Sequence, residues 1–88
     1  MGAVASLVRG LSRELGPRGV TINNVQPGPV DTPSNPADGP AGDMLRATIP
    51  VGRFGTVEEV ASLVSHLASQ DGAYINGASL DIDGGYSA

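Results

Sequence analysis

The stretch TVEEVASLVSHLAS (residues 56–69), followed after a short break by ASLDID (residues 78–83), decides the fold class. In the first segment Val57, Val60, Ala61, Leu63, Val64, Leu67 and Ala68 recur at spacings of three and four, which predicts an amphipathic helix over 57–69. Thr56, with Glu59 three positions on, is a capping-box pattern that satisfies two orphan amides reciprocally. Asp71-Gly72 ends the helix. In the second segment Ala78, Leu80 and Ile82 alternate with Ser79, Asp81 and Asp83, a strand pattern closed by Gly84-Gly85.

Working outward, residues 20–25 (VTINNV) read as a strand rich in β-branched side chains. Pro27 cannot donate to a ladder, so pairing is expected to stop at Gln26-Pro27-Gly28-Pro29. Residues 31–55 are broken by Pro33, Pro36, Gly39, Pro40, Gly42, Pro50, Gly52 and Gly55. One or two helical turns are expected at about 40–48, with Met44, Leu45, Thr48 and Ile49 as a small apolar face. A connection of this length inside a compact domain is usually a functional lid or a mobile segment. At the start, Val4, Leu7, Val8, Leu11 and Leu15 form one stripe, giving a helix over 2–15 that Gly16 caps and Pro17 stops.

The order is helix, strand, lid loop, helix, strand. From the first strand onward this makes a strand–helix–strand crossover, for which a right-handed parallel pair is the default. Two parallel strands do not make a domain, because parallel sheets need several strands and cover on both faces. The chain is therefore expected to be the end of a larger α/β domain. At 88 residues it would bury only about 60–65% of its unfolded surface if it folded alone.

Composition excludes several classes. There is no cysteine, hence no disulfide or thiolate metal site, and a single histidine, His66, cannot build a nitrogen-ligated one. Five arginines face nine acidic residues, net −4, which disfavours a nucleic-acid surface. No apolar run reaches membrane-spanning length. No signal peptide is visible, so a cytoplasmic setting is expected. Thirteen glycines and seven prolines cluster between elements, as punctuation and not as low complexity. His66, among Ser62, Ser65 and Ser69, reads as solvated. Asp81 and Asp83 read as the polar face of an edge strand, with no third ligand beside them for a metal. Glu58 and Glu59 suit a helix start. None of these supplies a catalytic group. Pro27-Gly28 stands out, because open α/β sheets bind ligands just past strand C-termini. On residue types alone it is equally a rigid turn ending a strand.

Three stretches, taken in order, resemble the short-chain dehydrogenase/reductase family. They are Arg13-Glu14-Leu15-Gly16-Pro17-Arg18-Gly19-Val20 with Gln26-Pro27-Gly28-Pro29-Val30-Asp31-Thr32; Arg53-Phe54-Gly55-Thr56-Val57-Glu58-Glu59-Val60-Ala61; and Tyr74-Ile75-Asn76-Gly77-Ala78-Ser79-Leu80-Asp81-Ile82-Asp83-Gly84-Gly85. Together they cover nearly the whole chain. The segment Gln26-Pro27-Gly28-Pro29-Val30-Asp31-Thr32, with Asn35-Pro36, also looks like a narrower subgroup, the cyclic-di-GMP-binding biofilm-dispersal mediators.

The resemblance implies the C-terminal part of a Rossmann-type, doubly wound parallel sheet. It implies an NAD(P)-dependent oxidoreductase moving hydride between nicotinamide and a carbonyl or alcohol carbon, with NADP or NAD as cofactor. Residues 1–88 would be one fragment of that domain, with the N-terminal Rossmann segment as its missing partner. The family's glycine-rich turn and catalytic serine fall upstream, and its Tyr-x-x-x-Lys pair would end at the position of Met1. The cofactor-binding residues would be Pro27 and Gly28 in a rigid corner, Val30 through its backbone to the nicotinamide carboxamide, and Thr32 through its hydroxyl. Residues 33–52 would be the substrate lid, with Met44, Leu45 and Ile49 over an apolar portion of substrate; a short amphipathic turn covering the core is the other reading of those residues. Family members use the first helix and the last helix–strand pair as subunit interfaces, so a homo-oligomer is implied.

The chain has no lysine. A catalytic phenol, ordinarily titrating near pH 10, needs a neighbouring ammonium to favour its phenolate. Neither Tyr74 nor Tyr86 is followed by one, so the chain alone is expected to be inactive. Two alternatives stay open: a non-catalytic nucleotide or cyclic-dinucleotide binding module, and a remnant that persists by oligomerising.

Overall fold

The computed structural model describes residues 2–88. Helix α1 (Gly2–Leu15) runs into a 3-10 turn (Gly16–Arg18); strand β1 is Asn24–Pro27, helix α2 is Gly39–Arg46 and helix α3 is Val57–Ala68. A second 3-10 turn (Gln70–Gly72) precedes strand β2 (Ser79–Ile82). The two strands form one two-stranded sheet. They run parallel, Asn24 N donating to Ala78 O and Gly28 N to Ile82 O, and α3 lies in the crossover that parallel pairing needs. The chain divides into two compact units, residues 2–25 with 64–80 and residues 26–63 with 81–88.

In the first unit α1 matches its expected span, but its buried line is not the expected stripe. Val8 and Ser12 are buried, at 6% and 7% exposure, whereas Leu7 is 61% exposed. Ser12 is tolerated inside because its hydroxyl donates to Arg9 O at 2.7 Å.

The first strand also sits further along than β-propensity places it, at 24–27 instead of 20–25. Before Asn24, side-chain amides share the pairing with one backbone bond. Asn76 Oδ1 accepts from Ile22 N at 3.0 Å, and Gly77 N donates to Ile22 O at 2.8 Å. Asn23 Nδ2 donates to Ile75 O at 3.1 Å, and Asn23 Oδ1 accepts from Ala78 N at 3.0 Å. The ladder proper begins with Asn24 N donating to Ala78 O at 2.8 Å.

In the second unit the strand continues through Pro27, against expectation. Gly28 N donates to Ile82 O at 3.0 Å. Alternate residues of a strand face opposite edges, so it is the even positions of β1 that donate toward β2. The donor Pro27 lacks belongs to the other edge and costs no bond here. Ile49 and Phe54, at 4% and 5% exposure, form this unit's core. Helix α2 overlaps the turns expected at about 40–48, starting one residue earlier, with Pro40 in its first turn. β2 alternates as predicted, Leu80 and Ile82 half-buried, Ser79 and Asp81 exposed.

Among the described residues the wide apolar face of α3 is only partly covered, Val60, Leu63 and Leu67 being half-buried. No residue of α3 is buried, and Val57 and Val64 are each about half exposed. No helix among the described residues is long and apolar enough to cross a membrane.

Candidate functional site

Just past the end of β1 the chain passes Gly28, where nothing larger fits, and bends at Pro29. A Cβ at Gly28 would lie 2.5 Å from Asp83 Cβ and 2.8 Å from Asp83 Cα. The close approach of Asp83 thus gives the glycine a packing reason.

The next residues dock on the segment before α3. Gly55 N donates to Pro29 O at 2.9 Å, and Asp31 N donates to Gly55 O at 3.0 Å. This is an isolated parallel bridge centred on Val30 and Gly55. In such a bridge one central residue, here Gly55, bonds to the two residues flanking the other, here Val30, whose own N–H and C=O point to the opposite edge. Neither bond uses the peptide groups of Val30. The bridge holds Val30 by its neighbours and leaves its donor and acceptor to face elsewhere.

Downstream, short polar contacts shape the turn. Asp31 Oδ1 accepts from Ala37 N at 2.9 Å. The Thr32 hydroxyl oxygen accepts from Asn35 N at 3.1 Å, which leaves its proton available to a further acceptor. At the far end of α2, Arg46 pairs with Asp43 at 2.6 Å, donates to Ala37 O, and lies 5.9 Å from the Phe54 ring centroid.

Gly55 is itself fixed from both sides. The capping box is present: Glu59 N donates to Thr56 Oγ1 at 3.1 Å, and Thr56 N donates to Glu59 Oε1 at 2.9 Å. Arg53 closes a fork on the same carboxylate, Nη1 to Oε1 at 2.8 Å and Nη2 to Oε2 at 2.9 Å. Its Nη1 also donates to Phe54 O at 3.1 Å. The Arg53 hydrogen bond, then the Thr56 backbone amide, hold the Glu59 carboxyl far below its usual range, at about 2. The same partner raises Arg53 further. The pair is therefore ionised at any ordinary pH.

Val30, Arg53, Glu59, Val60, Ile82 and Asp83 are among the residues lining a cleft of about 210 Å³. Asp83 was expected to share an edge face with Asp81. Instead it folds into the terminal turn, accepting from Ser87 Oγ at 2.5 Å, Gly85 N at 2.9 Å and Ser87 N at 3.0 Å. These contacts, the Ser87 hydroxyl first, depress its pKa. The alternation was correct, but two-residue periodicity cannot see a side chain captured by a turn beyond the strand.

Of the four residues assigned to the cofactor corner, Pro27 is exposed, while Gly28, Val30 and Thr32 are half-buried. Only Val30 lines the cleft. Met44, Leu45 and Ile49 do not share one surface: Met44 is 76% exposed, Leu45 half-buried and Ile49 buried. His66 is exposed, as expected. Sequence reasoning took Glu59 only as a helix cap and gave Arg53 no role beyond a motif letter. The signal for their pairing was an arginine just ahead of a capping box, whose glutamate keeps a second oxygen to share.

A family model described as enoyl-(acyl carrier protein) reductase matches residues 2–87. The Escherichia coli cyclic-di-GMP-binding biofilm dispersal mediator protein is 49% identical over 86 residues, covering 98% of this chain and 36% of that protein. A solved short-chain dehydrogenase/reductase from Serratia marcescens is 52% identical with a TM-score of 0.93, over 99% of this chain and 36% of that one. A short-chain dehydrogenase from Burkholderia cenocepacia, solved in complex with NADP, is 44% identical with a TM-score of 0.89, over 99% of this chain and 36% of that one. The chain thus spans about a third of the length of the relatives it matches.

Proposed function

The chain belongs to the short-chain dehydrogenase/reductase family and has that family's α/β, Rossmann-type architecture over the part it covers, and from this premise we propose that it supplies one wall of a nicotinamide-cofactor pocket in an NAD(P)-dependent oxidoreductase. The observation that carries the reading is Val30. Its neighbours are bonded to Gly55 on both sides, while its own N–H and C=O enter neither bond. A donor and an acceptor on the same residue, on rigid backbone past the C-terminal end of a strand, suit a planar carboxamide. Thr32, with its hydroxyl proton uncommitted, is the second contact to the same end of the cofactor. Pro27 and Gly28 fix where that backbone starts.

When bound there, the cofactor would supply hydride-transfer chemistry toward a carbonyl or alcohol carbon. The residues of this chain orient the ring; they do not handle the proton. There is no lysine among the 88 residues, and Tyr74 is fully exposed. The isolated chain is accordingly inactive. Residues 33–52 act as the substrate lid, with Met44 as its accessible apolar contact, and lids of this kind close with ligand present. The exposed faces around Leu7 and Val64 meet the remainder of a Rossmann domain or a second subunit. A cytoplasmic setting fits such an enzyme.

The test is a transplant. Residues 2–87 replace the matching segment of the Burkholderia cenocepacia dehydrogenase. The hybrid is expected to keep the parent's NADP-linked turnover within about tenfold, a barrier change of about 1.4 kcal/mol, while the 88-residue chain alone shows none. A hybrid that folds but neither binds NADP nor turns over contradicts the reading. The name of the Escherichia coli relative supports a second reading, cyclic-dinucleotide recognition without turnover. Saturable binding of the dinucleotide alone, with none of NADPH, would favour it.

A further inference from the structure

We infer that Arg53 and Glu59 are positioning residues for the cofactor contact, acting through Gly55 on the backbone of Val30; the inference rests on the reading of Val30 given above. Every link lies within one compact unit. The Arg53 fork onto Glu59 ties the start of the segment 53–56 to the first turn of α3, at 2.8 and 2.9 Å. Thr56, at the end of that segment, is tied to the same carboxylate through its amide at 2.9 Å. Phe54, between them, is buried at 5% and has its carbonyl engaged by Arg53. Gly55 therefore has both neighbours held, and it presents its own N–H and C=O to Pro29 and Asp31.

The carboxylate does two separable jobs. Capping α3 needs only an acceptor three residues past Thr56, which glutamine also provides. Holding Arg53 needs two ionised oxygens in a planar fork. Glu59→Gln thus keeps the helix cap and loses the fork. Arg53→Met loses the fork from the other side and keeps the aliphatic bulk of the side chain. Arg53→Lys keeps the charge without the paired geometry. A purely structural pair would affect every ligand of the protein alike. A positioning pair affects only the portion of a ligand that meets Val30.

The experiment measures binding to the protein as its host produces it, with two probes: NADPH, and 2′-phospho-ADP-ribose, which lacks the nicotinamide. Glu59→Gln and Arg53→Met are each expected to weaken NADPH about fivefold, a modest effect suited to a half-exposed ion pair. Arg53→Lys falls between them and the unmodified protein. Binding of 2′-phospho-ADP-ribose is unchanged in all three. Val30→Pro, which deletes the N–H, is the reference and weakens NADPH alone. If Val30→Pro acts but the Arg53 and Glu59 variants do not, the positioning role fails and the reading of Val30 stands. If those variants weaken both probes equally, the pair is structural and the inference is overturned. If Val30→Pro has no effect, or the unmodified protein binds no NADPH, both fail together.

Discussion

Gly77→Ala is expected to destabilise the fold by about 2–4 kcal/mol, the sum of a left-handed backbone penalty and local overpacking. Gly77 has φ of +76°, where a side chain crowds its own backbone. A Cβ there would also stand 2.6 Å from Ser12 Oγ and 3.2 Å from Ser12 Cβ. Ser12 cannot step aside cheaply, being 7% exposed and bonded to Arg9 O. The neighbouring residue makes the position more demanding still. Asn76 Nδ2 donates to Ser12 O at 3.1 Å, and its Oδ1 accepts from Ile22 N at 3.0 Å. Asn76-Gly77 is thus a clamp joining α1 to the segment entering β1, and a displacement at Gly77 strains both bonds. Urea unfolding followed by circular dichroism measures the loss. The pairing can be dissected: in a Gly77→Ala/Ser12→Gly double variant the contact with the serine side chain is gone but the φ penalty remains. Its ΔΔG should therefore fall below the sum of the two single changes. Strict additivity, or an unchanged midpoint for Gly77→Ala alone, would contradict the clamp.

Gly28→Ala is the second large effect, about 1–3 kcal/mol from overpacking. No backbone strain is involved. The obstacle is Asp83, whose Cβ and Cα lie 2.5 and 2.8 Å from the position the new carbon would take. A Cα cannot rotate away as a flexible side-chain tip can. The chain at Gly28 or at Asp83 has to shift, and either shift disturbs a neighbour. Gly28 N is bonded to Ile82 O, and Asp83 holds the turn through Gly85 and Ser87. Because Val30 follows two residues later, Gly28→Ala is also expected to weaken NADPH binding along with stability. A variant that melts like the unmodified protein would mean the Gly28–Asp83 approach is not part of the fold in solution.

How much of this was legible in the sequence depends on the range of the interaction. Helix α3 was readable to within a residue, because its signals are local: a 3.6-residue apolar period and a cap four residues long. β2 was readable for the same reason, through strict alternation. β1 was misplaced because Val20, Thr21 and Ile22 look more strand-like than Asn24 and Gln26. The deciding contacts come from Asn76 and Gly77, more than fifty residues away in sequence. The face of Ser12 was missed because its burial is made tolerable by a hydrogen bond that periodicity cannot register. At the site, the Pro-Gly corner was visible, since both residue types carry backbone consequences wherever they occur. The Val30–Gly55 bridge was not, because it involves only peptide groups. Any residue with a suitable φ and ψ could make it, so side-chain identity holds no trace of it. The Arg53–Glu59 fork lies between these cases: both residues belong to a motif visible in the sequence, but their pairing needs a loop geometry that spacing alone does not fix. Ile49 shows the limit of an amphipathic reading, which placed it beside Met44 although one is buried and the other open.

The central claim is that the peptide of Val30 meets the nicotinamide, and the amide resonance of Val30 reports on it directly. NADPH is titrated into the isotopically labelled protein as its host produces it, with 2′-phospho-ADP-ribose in parallel. The account predicts that the Val30 amide shifts and gains protection from exchange with NADPH and not with the nicotinamide-free analogue, while Gly55, already bonded to Pro29, changes little. A Val30 amide that responds identically to both ligands, or to neither while NADPH binds elsewhere, would contradict it.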